Sequence, residues 1–326
     1  MTVKTSGAQA GRRHNHPGSG RRKAPVFTKG RQLEAEALVE VRALLGEGER
    51  RRDLLIEYLH TIQDKHGSLS AAHLQALAED MRLPMAEVYE VATFYAHFDV
   101  VLDGEEAPAP LTIRVCDSLT CEMKGAKALL EGLPKRLGRK VRVVPAPCMG
   151  RCANAPVAEV GHRHVEDATV ESLVTVAESG DTHPVIPAYT DFDAYRADGG
   201  YGLLEACLKG DRKADDIVKT MQDSGLRGLG GAGFPSGLKW KIIREAPKPR
   251  VMAVNGDEGE PGTFKDRHYL ENDPHRFIEG MLVAAWATEI ERVYVYVRDE
   301  YPGVIRVLKK ELLAVAKAGL SKGVTF

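Results

Sequence analysis

Two short cysteine pairs constrain most tightly how this chain can fold. Cys116 and Cys121 enclose four residues, and Cys148 and Cys152 enclose three. The first pair straddles the end of an alternating run, Leu111–Cys116 (LTIRVC), and the second lies in Pro-Cys-Met-Gly-Arg-Cys, after residues 141–145. Pairs on loops beyond adjacent strands can converge tetrahedrally, as four thiolates around a metal must. Zinc and iron–sulfur both accept four thiolates; the plainer alternative is four unrelated core thiols. C-x2-C pairs would favour a zinc ribbon, and C-x4-C with C-x3-C does not fit that habit. Five cysteines in 326 residues are too few for a disulfide scaffold, so a reducing compartment is expected.

The rest of the chain arranges itself around this module. Residues 1–30 hold Arg12, Arg13, Arg21, Arg22 and Lys23 with no acid before Glu34, and read as a disordered basic tail without a signal-peptide core. Residues 31–102 carry helical stripes, Leu33, Ala37, Leu38, Val41, Leu44 and Leu45, then Leu54, Leu55, Tyr58, Leu59 and Ile62. Gly67 should break the second helix, Ser70 cap a third, and Pro84 open a fourth over 85–98. His60, His66, His73 and His97 show no paired ligand spacing and read as surface or core histidines. After an acidic, proline-containing linker, residues 109–182 spell β-α-β-β-α, with a helix over 122–137 and a short edge strand at 165–167, an order that suggests a thioredoxin-like layer. Residues 183–213 read as a connecting segment, and Cys207 as an ordinary, partly buried thiol. From 214 to 326 helices and strands alternate, as in an α/β domain. Net charge of −1 implies no nucleic-acid attraction, and no apolar run is long enough for a membrane span.

Two loops of this last region carry binding chemistry. Residues 225–240, GLRGLGGAGFPSGLKW, place six glycines within their first thirteen residues and run into a helical pattern with a possible N-cap at Ser236. A glycine-rich loop running into a helix N-terminus is an anion cradle. Gly228-Leu-Gly230-Gly-Ala-Gly233 spells G-x-G-x-x-G, but a helix precedes it where the dinucleotide fingerprint needs a strand, and Walker A needs Gly-Lys-Ser/Thr. A tight helix-connecting loop is the bland alternative. The second loop, residues 254–262 (VNGDEGEPG), follows a buried-strand run and packs three acids among glycines, which suits hydroxyl or amide groups better than phosphate.

Cys-Asp-Ser-Leu-Thr-Cys, Pro-Cys-Met-Gly-Arg-Cys and the earlier Glu90-Val-Ala-Thr-Phe-Tyr95 resemble the thioredoxin-like [2Fe–2S] subunit of respiratory complex I, bidirectional hydrogenases and NAD-dependent formate dehydrogenases. The two glycine-rich loops look like the flavin- and NADH-binding subunit of the same complexes. The resemblance covers nearly everything after residue 30. It implies an α/β multidomain chain: an N-terminal helical bundle, a thioredoxin-like [2Fe–2S] domain, then the start of an α/β flavin-binding domain. It also implies that Cys116, Cys121, Cys148 and Cys152 ligate a [2Fe–2S] cluster, with backbone amides near Met149, Gly150 and Arg151 able to bond its sulfurs. Gly228, Gly230, Gly231 and Gly233 would line an FMN and NAD cavity, Phe234 would face a nucleotide ring, and Lys239 would approach the flavin phosphate or ribityl end. Asn255, Asp257 and Glu258 would meet ribityl hydroxyls and the ring edge, and Glu260 the nucleotide. No side chain need act as a general base.

The fused arrangement most resembles the diaphorase subunit of formate dehydrogenases, because hydrogenase diaphorases often have degraded cluster cysteines and all four are present here. The implied activity is an NAD-dependent oxidoreductase in the cytoplasm, receiving electrons from a catalytic molybdenum or tungsten iron–sulfur subunit and passing them through FMN to NAD+. The family continues with a further glycine-rich flavin segment and a [4Fe–4S] cysteine region. The 326 residues contain neither, so residues 214–326 are expected to be the N-terminal part of the flavin domain, and a [4Fe–4S] cluster only where that region exists. Rival readings are a hydrogenase or complex I diaphorase, a [2Fe–2S] carrier without flavin activity, and a zinc-stabilised scaffold.

Overall fold

Helix α1 (Ala35–Leu45) buries Ala37 and Val41, and α2 (Leu55–His66) buries Leu55, Leu59 and Ile62, residues spaced for one helical face. The computed structural model describes residues 30–95, 97–229 and 231–326. The expected basic tail, apart from Gly30, and the expected site residue Gly230 lie outside them. The chain divides into two compact units between Ala107 and Pro108, within the acidic, proline-containing stretch.

In the first unit α2 ends at Gly67, whose φ of 76° is the left-handed C-cap that glycine adopts without steric cost. Strand β1 (Leu69–Ser70) follows, and α3 (Ala71–Met81) opens with the Ser70 hydroxyl accepting the His73 N–H at 3.1 Å. Helix α4 (Met85–Phe94) starts after Pro84 and stops four residues short of expectation, because Tyr95 turns extended. Buried Gln63 takes up the backbone groups freed there: its amide donates to the His97 carbonyl at 2.9 Å and its oxygen accepts from the Asp99 N–H at 2.6 Å. Strand β2 (Val100–Val101) then pairs parallel with β1, a contact no sequence pattern announced. Leu33 lies ahead of α1 and is exposed, not part of its stripe.

The second unit opens with β3 (Leu111–Cys116), α5 (Leu119–Met123), α6 (Ala126–Leu137), β4 (Val141–Ala146), β5 (Ala158–Val160), β6 (Arg163–Val165) and α7 (Val170–Ser179). The sheet order is β4-β3-β5-β6, with β3 and β4 parallel and the other pairs antiparallel. Ile113, Val115, Leu129, Leu133, Val160 and Leu173 form its core. The single helix expected over 122–137 is two, because Gly125 sits at φ 104° between them. The edge strand lies two residues earlier than expected, since Asp167 has a positive φ that ends extended pairing.

The connecting segment contains two helices: α8 (Phe192–Ala197), which the sequence did not announce, and α9 (Gly202–Lys209), where a helix was expected over 203–208. Tyr201, Leu204 and Cys207 are fully buried beneath them, so Cys207 is a core thiol and not a partly buried one. The Gly199–Gly200 pair has another role than its composition suggests. A Cβ at Gly200 would sit 2.1 Å from the Tyr195 ring, so this glycine permits close packing and does not mark a loose linker. Helices α10 (Ala214–Asp223) and α11 (Ser236–Glu245), strand β7 (Val251–Gly256), helices α12 (Lys265–Asn272) and α13 (Pro274–Thr288), strand β8 (Arg292–Val297) and helix α14 (Pro302–Lys317) complete the unit. β7 and β8 pair in parallel, and the Thr325 backbone bonds alongside β8 through Val293.

Beneath this sheet a buried polar chain fastens the segments. The Tyr201 hydroxyl lies 2.7 Å from His275 Nδ1, His275 Nε2 lies 2.9 Å from Glu311, and the Tyr189 hydroxyl donates to Glu311 at 2.6 Å. Glu311→Ala leaves the buried His275 Nε2 without its partner and takes the acceptor from the half-buried Tyr189 hydroxyl; it should cost about 1–3 kcal/mol, read as an earlier denaturant midpoint.

His164, on β6, is half-buried as a residue, but its Nε2 is buried without a partner. Burial first, then the cations Arg151, Arg267 and Arg298, push its pKa down to about 3. The unfolded chain takes this proton near the ordinary histidine value of about 6.5, whereas the folded chain stays neutral to about 3. Acidification through that window therefore favours unfolding. His164→Gln should flatten the loss of stability between roughly pH 6.5 and 4.5, measured as the difference between parent and variant melting curves.

Candidate iron–sulfur and nucleotide site

Each cysteine is placed by a different local device. Cys116 ends β3, Cys121 lies in the short helix α5, Cys148 follows β4, and Cys152 begins a 3-10 turn. Cys116, Cys121 and Cys148 are buried and Cys152 half-buried, and none forms a disulfide. Cys148 and Cys152 sulfurs are 3.5 Å apart. Burial, and then the neighbouring Cys116, raise the Cys121 thiol to about 12. Burial raises Cys148 to about 11, against a hydrogen bond from the Gly150 N–H and with Cys152 and Cys116 adding to the rise. Cys116 and Cys152 thus both lie within electrostatic reach of Cys121 and Cys148 and oppose their ionisation. A cationic metal–sulfur group reverses that logic, since a coordinating thiol is deprotonated by the metal itself. The donor set fits such a group.

Of the three amides expected near the sulfurs, Gly150 donates to Cys148 Sγ at 3.4 Å. A second donor comes from far along the chain: the Gly262 N–H bonds Cys152 Sγ at 3.2 Å. Gly262 closes the acidic loop, so one residue of the expected nucleotide segment touches a cysteine of the expected cluster.

Around this contact lies a dense polar seam. Arg298, just beyond β8, donates to the carbonyls of Cys148 and Glu258, the latter at 2.8 Å, and to the Glu300 carboxylate at 3.0 Å. The Tyr301 ring packs on Gly150 so closely that a Cβ there would meet its hydroxyl at 2.2 Å. Arg151 bridges Glu166 and Glu271, each at 2.7 Å, and Glu271 also receives Arg267 at 2.7 Å. Sequence reasoning missed Arg298, Tyr301, Glu271 and the Gly262 amide. The one available signal was position: Arg298-Asp-Glu-Tyr301 follows directly on a strand end, where ligand-side loops gather in α/β folds.

The acidic loop divides its carboxylates. Asn255, Asp257 and Glu260 are exposed, with Asn255 Oδ1 accepting the Asp257 N–H at 3.0 Å. Glu258 departs from expectation. It is buried, and its oxygens accept the Asp266 and Arg267 N–H groups at 3.0 and 3.1 Å, capping α12, with the Tyr301 hydroxyl at 3.4 Å. A carboxylate at a helix N-terminus meets the free amides and the dipole there, so Glu258 is engaged inside the protein, whereas Asp257 and Glu260 of the same loop are exposed.

The glycine-rich loop is exposed at Gly228 and Gly231, and Gly231 has a φ of 97°. Gly228 N–H donates to the Phe234 carbonyl at 2.9 Å, and Arg227 donates to the Gly233 carbonyl at 2.9 Å, which folds the loop on itself. Phe234 is half exposed, and Lys239 is exposed on the first turn of α11. Ser236 is not the N-cap. Pro235 holds that position, and Ser236 donates its N–H to the Leu226 carbonyl at 2.9 Å. No hydrogen bond links the side chains of the two loops among the described residues.

Residues 41–180 match the thioredoxin-like [2Fe–2S] ferredoxin family, and residues 221–323 match the Nuo51 FMN-binding domain. A NADH-quinone oxidoreductase component of Rhizobium meliloti is 49% identical over 125 residues, covering 38% of this chain and 29% of that protein. The alpha subunit of the NAD-reducing hydrogenase HoxS of Cupriavidus necator is 28% identical over 305 residues, 82% of this chain and 49% of its own length. A crystal structure of an NAD+-reducing [NiFe]-hydrogenase in its H2-reduced state superposes with a TM-score of 0.68 at 26% identity, over 83% of this chain and 50% of that one. The chain therefore spans at most about half of these relatives. No helix among the described residues is long and apolar enough to cross a membrane. One polypeptide thus joins a thioredoxin-like [2Fe–2S] ferredoxin segment to an FMN-binding Nuo51 segment, a pairing whose cofactors are a [2Fe–2S] cluster, FMN and NAD.

Proposed function

We propose that this chain is a diaphorase module that moves electrons between a [2Fe–2S] cluster and NAD(H). The observation that best supports the reading is the Gly262 N–H on Cys152 Sγ, which joins the acidic loop to the cysteine pocket. In this reading Cys116, Cys121, Cys148 and Cys152 hold the cluster. In the same reading the glycine loop at the start of α11 and the acidic loop at the end of β7 face one ligand pocket. There Gly228, Gly230, Gly231 and Gly233 offer backbone to FMN and nucleotide. Phe234 offers a ring face, Lys239 a cation for phosphate, and Asn255, Asp257 and Glu260 acceptors for hydroxyl groups. Glu258 positions this loop by holding α12 and Tyr301. Bound FMN supplies the exchange between one-electron and two-electron carriers.

The finer reading is a cytoplasmic NAD-dependent formate dehydrogenase, with a molybdenum- or tungsten-containing iron–sulfur subunit as electron donor; it rests on the full set of four cysteines. Similarity to the hydrogenase alpha subunit over most of the chain favours a second reading, in which a hydrogenase supplies the electrons. NAD+ reduction by the purified complex with formate, and separately with hydrogen, decides between them. Reduction by formate alone supports the first and by hydrogen alone the second.

The module itself is tested by paramagnetic resonance of the reduced, cluster-loaded protein. Serine at any of the four cysteine positions should abolish or reshape the [2Fe–2S] signal, whereas Cys207→Ser should leave it intact. An unchanged signal in Cys116→Ser or Cys148→Ser would contradict the assignment. FMN affinity, read by quenching of its fluorescence, should fall about tenfold in Lys239→Ala, the loss of one charge-assisted hydrogen bond.

Gly262→Ala forces a residue with a Cβ into φ 89° and displaces the amide from sulfur. Hydrogen bonds to cluster sulfurs help set the potential. Losing this one should shift the cluster potential to more negative values in a dye-mediated redox titration, while Gly48→Ala, on an open surface, should not.

A further inference from the structure

The helical unit carries a cluster that neither the cysteine pocket nor the nucleotide loops use. Glu40 of α1, His66 at the end of α2 and His73 in the first turn of α3 meet at one surface. Each presents a ligand atom, and the three atoms lie within 4.8 Å of one another. His73 Nε2 is 3.1 Å from a Glu40 oxygen, and the His66 and His73 rings are 4.2 Å apart, tilted by 34°. His73 Nδ1 is buried and has no hydrogen-bond partner. Glu40 and His66 are exposed, so an ion could enter and keep a water ligand.

We propose that Glu40, His66 and His73 form a binding site for a divalent transition-metal ion, zinc being the best match, that pins α1, α2 and α3 together. The chemistry selects the ion. Two imidazole nitrogens and a carboxylate suit zinc and its neighbours, whereas calcium and magnesium ask for oxygen ligands throughout. Tetrahedral zinc with bonds of about 2.0–2.1 Å holds its ligand atoms roughly 3.3 Å apart. The His73–Glu40 separation is already close to that value, and a small rotation of the exposed His66 ring would bring in the third ligand. Three protein ligands leave the fourth position for solvent. Sequence spacing hid the site, because its ligands come one from each of three helices.

The test is a zinc titration by calorimetry on the full chain carrying its iron–sulfur cluster, with His14→Ser and His16→Ser introduced to remove tail histidines. Affinities are compared between this parent and variants, so any zinc held by cysteines cancels. The parent should take up one more equivalent of zinc than His66→Ala, or bind it at least about tenfold more tightly, and should melt at higher temperature with zinc but not with magnesium. Glu40→Gln should weaken binding in the same way, and neither exposed substitution should alter the circular dichroism. Equal zinc binding in the parent, His66→Ala and Glu40→Gln, or no binding at all, would overturn the site.

Discussion

The second unit depends on one buried guanidinium. Arg298 is 7% exposed and reaches the Cys148 carbonyl on one side and the Glu258 carbonyl on the other. Arginine suits this position because its planar fork satisfies several acceptors at once and is less strongly hydrated than an ammonium group. A buried cation is tolerated only when its donors are taken up, so the two loops that supply the acceptors must stay in register with each other. The cysteine loop and the acidic loop are thereby held as one object. Tyr301 on Gly150 and Arg151 between Glu166 and Glu271 extend the same seam in both directions.

That register explains why an electron-transfer reading follows from packing. Without the seam, the ferredoxin segment and the Nuo51-like segment would be two domains on a string. With it, the amide of Gly262 reaches the Cys152 sulfur, so the acidic loop lies against one of the four cysteines proposed to hold the cluster. Glu258 shows how the loop is kept in shape. One acid of the three is turned inward to cap α12, which leaves Asp257 and Glu260 outward.

Much of this was legible in the sequence. The cysteine spacing, the alternation in Leu111–Cys116 and Arg292–Val297, the stripe of α2 and the Ser70 cap translate directly into elements, because each is a local property of neighbouring residues. What was not legible is mostly non-local. Gly200 looked like linker and is a packing contact with Tyr195; Gly125 looked like part of a helix and is its break. The inward turn of Glu258 depends on the start of α12, and the partners of Arg298 lie 40 and 150 residues away. Ser236 resembled an N-cap, but Pro235 with its fixed φ took the position first.

The central claim is that the two segments form one electron path. Its most direct test is to add NADH anaerobically to the FMN- and cluster-loaded protein and follow the flavin absorbance together with the reduced [2Fe–2S] resonance. NADH should bleach the flavin band and then raise the cluster signal, with the second step slowed when Arg298→Leu loosens the seam. A flavin that bleaches while the cluster stays oxidised, although dithionite reduces it readily, would contradict the path. So would a cluster signal that follows NADH equally well with and without Arg298.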